Sequence, residues 1–159
     1  MGRNGDSDLA LDDDIRILSG VGIFADFTDE QLRLLAFGAE PARFAAGREI
    51  YREGAHADCA YVVALGTVVL YREHEGEAVA VSHIEAGGIL SELALIAPTT
   101  RLTYAAAETD CQMIRLKRTL FRRILEEYPE AAIELHQRMT QDLYEFLKKI
   151  ERVAPRFEE

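Results

Sequence analysis

Residues 61–71 are Tyr61-Val62-Val63-Ala64-Leu65-Gly66-Thr67-Val68-Val69-Leu70-Tyr71, two apolar runs joined through one glycine. β-Branched and aromatic residues favour strands, and a glycine between two such runs is typical of a chain reversal. Outward from this stretch, further apolar runs are separated by glycines about every ten residues, a spacing that indicates antiparallel strands. The sequence therefore predicts a β-sandwich or β-roll whose turns contain Gly47, Gly54, Gly66, Gly76, Gly87 and Gly88.

Helical patterns lie on both sides of this region. Thr28 precedes Gln31 by three residues, a capping-box spacing that predicts a helix over Asp29–Phe37. Near the C-terminus, apolar spacing predicts one helix over Thr119–Glu127 and a longer one over Pro129–Val153. The expected fold class is α+β: an antiparallel β-roll of the double-stranded β-helix or jelly-roll type, with N-terminal helices and a long C-terminal helix.

The long helix has apolar residues at steps of three and four, which is an a/d pattern. Two interpretations of this seam remain open: the helix packs on its own roll, or it pairs with a second copy of the chain. The seam consists of Leu135, Met139, Leu143, Phe146 and Ile150.

Composition excludes several classes of protein. The chain has 159 residues and a net charge of −10, whereas a general nucleic-acid binder has a basic surface. No apolar run reaches the roughly 18 residues of a membrane span, and the N-terminus lacks a signal-peptide pattern, so we expect a cytoplasmic protein. The four histidines are scattered without an H-x-H pair, which argues against a metalloenzyme of the cupin type. We expect a flexible acidic leader over residues 1–14, one domain over residues 15–153 and a disordered tail over residues 154–159.

The segment from Gly87 to Thr103 has the residue types of a sugar-phosphate site. A short helical turn beginning at Glu92 follows a glycine-rich bend, and the first amides of such a turn suit a phosphate. Arg101 supplies a positive charge with a fork of donors, and Glu92 can accept a hydrogen bond from a sugar hydroxyl. A plain Glu92–Arg101 salt bridge that closes the loop is the other interpretation.

The run Glu92-Leu93-Ala94-Leu95-Ile96, followed by Arg101-x-Thr103, resembles the phosphate-binding cassette of cyclic nucleotide-binding domains. That family includes regulatory subunits of protein kinase A, cyclic-nucleotide-gated channels and the catabolite activator protein. An ordered series of weaker matches extends the resemblance over residues 15–153. It includes Phe44-x-x-Gly47, Gly66-x-Val68 and Phe121-x-x-Ile124-Leu125.

The resemblance implies a role for each matching position. Glu92 would bind the ribose 2′-hydroxyl, Arg101 would pair with the cyclic phosphate, and the amides near Leu93 and Ala94 would complete the phosphate site. The pocket wall would contain Val68, Leu70 and Val81, with Ser82 at the rim. The remaining candidate ligand-binding residues are Leu90, Ser91, Leu102 and Thr103.

The function that the resemblance implies is a stand-alone regulatory module, not an enzyme, that senses cAMP or cGMP and signals through its C-terminal helix. We expect no cofactor, a homodimer through that helix, a protein effector, no membrane contact and no direct DNA binding. Ser91 stands where the family has a glycine, and Leu102 stands where it has a small or hydroxylated residue. An alternative is therefore a ligand-free dimerisation or protein-interaction scaffold. The base of the ligand is not readable from the sequence.

Overall fold

A computed structural model describes residues 2–153, with side chains described from residue 10 onward. Three helical segments precede the strands: α1 (Gly2–Ser19), a 3₁₀ turn (Gly22–Phe24) and α2 (Asp29–Gly38). The predicted capping box at α2 is confirmed, because the Thr28 hydroxyl accepts from the Gln31 amide and the Gln31 side chain accepts from the Thr28 amide. Both contacts satisfy amides that have no partner inside the helix.

Ten strands follow, and the predicted antiparallel β-roll is confirmed. They are β1 (Glu40–Phe44), β2 (Glu49–Tyr51), β3 (His56–Ala57), β4 (Cys59–Leu65), β5 (Val68–His74), β6 (Glu77–Ile84), β7 (Ile89–Leu90), β8 (Thr99–Thr100), β9 (Tyr104–Ala107) and β10 (Cys111–Lys117). One sheet has the order β1-β10-β4-β7 and the other β2-β9-β5-β6, while β3 and β8 form a separate ribbon. A second 3₁₀ turn, Glu92–Leu95, separates β7 from β8, and we call it the cassette turn.

The apolar run that opens β4 is explained by burial on both of its faces. Tyr61 and Val63 point into the core between the two sheets, whereas Ala60 and Val62 pack outward against the helices. A strand with two buried faces has a continuous apolar sequence rather than an alternating one. The strand therefore joins an inter-sheet core to a helical core that contains Phe24, Phe27 and Phe121.

Two helices follow the roll, α3 (Arg118–Glu127) and α4 (Pro129–Val153). Leu135 and Met139 of α4 are buried in the helical core, while Phe146 packs against the inter-sheet core. The helix therefore runs from the helical side of the molecule to the open side of the roll.

The structure differs from the expected flexible leader over residues 1–14, because α1 includes residues 2–14. Leu11 and Ile15 of α1 pack against the helical core, in which Leu18 of the same helix is buried. The expected tail over residues 154–159 lies outside the described residues.

Candidate functional site

A cavity of about 250 Å³ lies between the cassette turn, the β5–β6 edge and α4. It is smaller than the roughly 300–1,000 Å³ of typical ligand pockets, and α4 forms one of its sides. Of the residues proposed from sequence, nine line it: Leu70, Ser82, Leu90, Ser91, Glu92, Leu93, Ala94, Leu102 and Thr103.

The cassette turn is a short helical turn that begins at Glu92, as the sequence predicted. Ser91 precedes the turn with φ 59° and ψ 45°, the left-handed conformation, and the amide of Ala94 donates to the Ser91 carbonyl at 3.0 Å. The Ala94 amide is thus committed to closing the turn. The sequence predicted that this amide donates to the phosphate, whereas in the structure it donates within the turn.

We expect Ser91→Gly to stabilise the fold, because a left-handed conformation costs a non-glycine residue about 1–2 kcal/mol. Glycine loses more backbone entropy on folding, so we expect a net gain of about 1 kcal/mol and a rise of about 2–4 °C in melting temperature. Circular dichroism melts of native protein, Ser91→Gly and Ser91→Ala measure this effect. Alanine retains the Cβ, so a gain in Ser91→Ala equal to that in Ser91→Gly would contradict the explanation.

Arg101 is buried beside the cavity but does not line it. Its Nη1 donates to the Cys59 carbonyl at 2.8 Å, and its guanidinium lies 4.4 Å from the centre of the Tyr51 ring and 5.7 Å from that of Tyr61. The backbone fixes this position, because the Arg101 amide donates to Ala55 and the Arg101 carbonyl accepts from Gly54. The Nε atom is buried without a hydrogen-bond partner.

The alternative prediction of a Glu92–Arg101 salt bridge is wrong, since Arg101 bonds to Cys59 and no Glu92–Arg101 ion pair occurs among the described residues. The two side chains of the expected sugar-phosphate site remain separate.

Glu92 lines the cavity, and its Oε2 atom is buried without a hydrogen-bond partner. Burial and, next, the facing Asp142 carboxylate of α4 raise the pKa of Glu92 to about 8. At pH 7 the Glu92 side chain is therefore mostly a neutral acid.

Two predicted pocket residues lie elsewhere. Val68 is fully buried in the inter-sheet core. Val81 is the unpaired residue of a β-bulge, since Leu70 pairs with Ser82 and Tyr71 pairs with Ala80. Ser82 and Ile84 lie two residues apart on β6 and share the face that lines the cavity, whereas Val81 does not line it.

The seam of α4 faces its own chain. Leu135, Met139 and Ile150 are buried, while Leu143 and Phe146 line the cavity with Met139. Of the two interpretations of the seam, packing on the roll is the one that these contacts support. The exposed apolar residues of α4 form a different set: Ile133, Tyr144 and Leu147.

Sequence reasoning missed several polar residues, since Thr99, Thr100, Glu145 and Lys149 also line the cavity, and three of those missed shape the site. Tyr51 lines the cavity, where burial raises the pKa of its phenol while hydrogen bonding to Ser91 and the charge of Arg101 oppose that shift. Asp142 of α4 also lines the cavity, next to the seam residue Leu143. The sequence signal that could have identified Asp142 is its position directly before a seam residue.

Arg118 is the third of these residues, and its side chain holds the C-terminal end of the cassette turn in place. Its Nη1 donates to the carbonyls of Ala57, Ala94 and Ala97 at 3.0, 3.2 and 3.2 Å. These contacts satisfy carbonyls at the end of the turn and join it to β3 and α3. Arg118 therefore positions the cassette without lining the cavity.

Two further observations describe the chemistry that the described residues contain. Over residues 2–153, no helix is both long and apolar enough to span a membrane. Among residues 10–153, whose side chains the structure describes, no three His, Cys, Asp or Glu side chains are grouped to hold a metal ion.

Known proteins resemble this chain in sequence and in structure. A cyclic nucleotide-binding-like protein from Brucella abortus is 55% identical, with a TM-score of 0.66, covering 72% of this chain and 98% of that one. A cAMP-dependent protein kinase regulatory subunit from Eremothecium gossypii is 32% identical over 65% of this chain and 22% of the relative. The chain thus spans only about a third or less of the length of the curated kinase subunits that it matches.

The regulatory domain of Toxoplasma gondii PKA, solved in complex with cAMP, has the same fold with a TM-score of 0.76. It is 21% identical and covers 89% of this chain and 52% of that one. The sequence model of the cyclic nucleotide-binding domain family matches residues 41–128, which include the cassette turn and Arg101. The chain therefore belongs to the cyclic nucleotide-binding domain family.

Proposed function

We propose that the protein is a regulatory module that binds cAMP or cGMP in the cavity beneath α4. The observation that carries this proposal is the convergence of Glu92, the cassette turn and α4 on one cavity, with Arg101 buried beside it. In this arrangement the ribose hydroxyl bonds to Glu92 and the cyclic phosphate takes the guanidinium from the Cys59 carbonyl. The cAMP complex of the Toxoplasma gondii domain, which shares the fold, supports the choice of ligand class.

Signalling follows from the position of α4. Met139, Leu143 and Phe146 cover the cavity, so a bound nucleotide must displace or repack them. A ligand shifts such an equilibrium only by its difference in affinity for the two states. The proposed output is a change in the position of α4, read by a second protomer or by a protein effector.

Thermal melting tests the binding proposal directly. At a concentration 100 times Kd, a ligand adds about 2.7 kcal/mol to the unfolding free energy. For a chain of this size, that is a rise of about 5–10 °C. cAMP and cGMP are compared with 5′-AMP, which lacks the cyclic ester. No rise with either cyclic nucleotide at millimolar concentration would overturn the proposal.

A second candidate function is a ligand-free interaction scaffold. Two observations favour it: the Arg101 guanidinium donates to the Cys59 carbonyl and does not line the cavity, and the apolar Leu102 does line it. This candidate predicts that the folded protein melts at the same temperature with and without cAMP or cGMP.

We also propose that two copies associate through the outer face of α4. Ile133 and Leu147 lie two heptads apart, and both are exposed with Tyr144 on the same helix. Analytical ultracentrifugation should give a dimer for native protein and a monomer for Leu147→Glu. The matched control is Glu134→Gln, an exposed change on the same helix. A native monomer at high micromolar concentration would contradict this association.

A further inference from the structure

The Arg101 guanidinium is a buried cation without an acidic partner among the residues whose side chains are described. Arg101 is only 5% exposed, and none of the ion pairs of these residues includes it. The Cys59 carbonyl accepts from Nη1 at 2.8 Å and the Cys59 thiol from Nη2 at 3.4 Å, while Nε has no partner. Burying a charge without compensation is costly, so other neighbours of the guanidinium must stabilise it.

Two tyrosine rings supply this stabilisation. The central carbon of the guanidinium lies 4.4 Å from the centre of the Tyr51 ring and 5.7 Å from that of the Tyr61 ring. The two rings are inclined to each other by only 27°. The negative π face of an aromatic ring attracts a cation within about 6 Å, and most strongly where water is excluded. The rings therefore compensate part of the charge that no carboxylate neutralises.

Tyr51 is the closer of the two rings and the one that reaches the cavity. It lines the cavity, whereas Tyr61 and Arg101 do not. The Tyr61 ring is shared between two cations, because Arg115 lies 5.3 Å from its centre and donates to Glu40. On the Tyr51 ring, Arg101 is the one cation stacked among the side chains that the structure describes. Tyr51 thus connects the guanidinium with the cavity.

Backbone hydrogen bonds fix both members of this contact. Tyr51 ends β2 opposite Ala105 of β9, and the loop after β2 contains Gly54 and Ala55. The Gly54 amide donates to the Arg101 carbonyl at 2.9 Å, and the Arg101 amide donates to the Ala55 carbonyl at 2.8 Å. These bonds join the chain just beyond Tyr51 to the chain at Arg101, so they set the separation of the ring and the guanidinium.

We propose that Tyr51 is a positioning residue for the cyclic phosphate, because its ring holds the Arg101 guanidinium in one orientation before the ligand arrives. The inference rests on the proposed function, since Arg101 serves the same cavity and the same ligand. A ring stacks on the flat face of the guanidinium and leaves the N–H donors at its edge for a phosphate. Ordering a long side chain during binding costs affinity, and a ring that already orders Arg101 removes that cost.

Calorimetric titration of cAMP into native protein, Tyr51→Phe and Tyr51→Leu tests this role, with circular dichroism to establish that each variant is folded. Tyr51→Phe keeps the π face, so we expect its Kd to stay within about twofold of the native value. Tyr51→Leu loses the ring, and we expect its Kd to rise about three- to tenfold, the cost of ordering one long side chain. Native affinity in Tyr51→Leu, or equal losses in Tyr51→Phe and Tyr51→Leu, would overturn the proposal.

The matched control is Tyr104→Leu. The Tyr104 ring also lies near an arginine, with the central guanidinium carbon of Arg52 at 5.9 Å, but Tyr104 does not line the cavity. This variant therefore removes a comparable ring from a comparable contact elsewhere on the roll. We expect it to bind cAMP like native protein, and a loss equal to that in Tyr51→Leu would overturn the proposal.

A measurement without nucleotide separates failure of this inference from failure of the proposed function. Proton–nitrogen NMR spectra of the arginine side chains give the Nε–H resonance of Arg101, which is identified by its absence from Arg101→Lys. A proton above an aromatic ring resonates upfield, so we expect an upfield Arg101 resonance in native protein and in Tyr51→Phe but not in Tyr51→Leu. A native resonance among those of exposed arginines, or one unchanged in Tyr51→Leu, would overturn the positioning role, whether or not cAMP binds.

Discussion

Replacing Arg101 with alanine should weaken cAMP binding by about 2–5 kcal/mol, the usual loss when one partner of a buried charged contact is removed. The guanidinium lies between Tyr51 and Tyr61 with its Nε unpartnered, so the fold already holds a full positive charge beside the cavity. A cyclic phosphate gains both the charge and the fork of donors. Calorimetric titration of native protein and Arg101→Ala measures the difference.

Two variants separate this effect from unfolding and from loss of surface charge. Arg101→Lys keeps the charge but loses the planar fork and the stacking, so we expect an intermediate affinity. Arg123→Ala removes an exposed arginine of α3 and should bind like the native protein. Circular dichroism establishes that each variant is folded. If folded Arg101→Ala bound cAMP with native affinity, the phosphate would lie elsewhere.

Replacing Arg118 with alanine should lower the unfolding free energy by about 2–3 kcal/mol, because hydrogen bonds to a charged group contribute about 1.5–3 kcal/mol and the carbonyls left behind lose their donor. One guanidinium nitrogen reaches Ala57, Ala94 and Ala97, so its removal loosens the cassette turn at its end. Urea unfolding measures the change. We also expect weaker cAMP binding, because the turn must then be ordered by the ligand.

The matched control for this variant is Arg122→Ala. Arg122 lies on the same helix, is exposed and has no hydrogen bond among those that the structure gives for the described residues. An exposed substitution of this type changes stability by about 0.5 kcal/mol or less. Equal stability of Arg118→Ala and Arg122→Ala would show that the three carbonyl contacts do not anchor the turn.

Local signals predicted much of the fold, because each depends on only a few neighbouring residues. The T-x-x-Q spacing of Thr28 and Gln31 predicted α2, and its capping contacts form as expected. Gly76 predicted a turn, and it adopts a positive φ, as does Glu75 before it, between β5 and β6. The position of Glu92 and the cassette turn also followed from the sequence, through a resemblance over many weak motifs.

The remaining features depend on contacts between distant residues. The direction of the Arg101 side chain is set by Ala55, Cys59 and the tyrosine rings, which no local pattern brings together. Val81 has no partner in the pairing of β5 with β6, and no local sequence pattern marks that register shift.

The α4 seam was ambiguous for a related reason. An a/d pattern has the same form whether a helix packs on its own roll or on a second copy. Only the three-dimensional structure shows that Met139 and Phe146 face the cavity, and with them Asp142.

A crystal structure of the protein grown with cAMP tests the central claim most directly. We expect the nucleotide in the cavity, its phosphate on the Arg101 guanidinium, its ribose hydroxyl on Glu92, and α4 moved from its position in the ligand-free protein. A nucleotide bound at another surface, with Arg101 still on the Cys59 carbonyl and α4 still closed, would contradict the account.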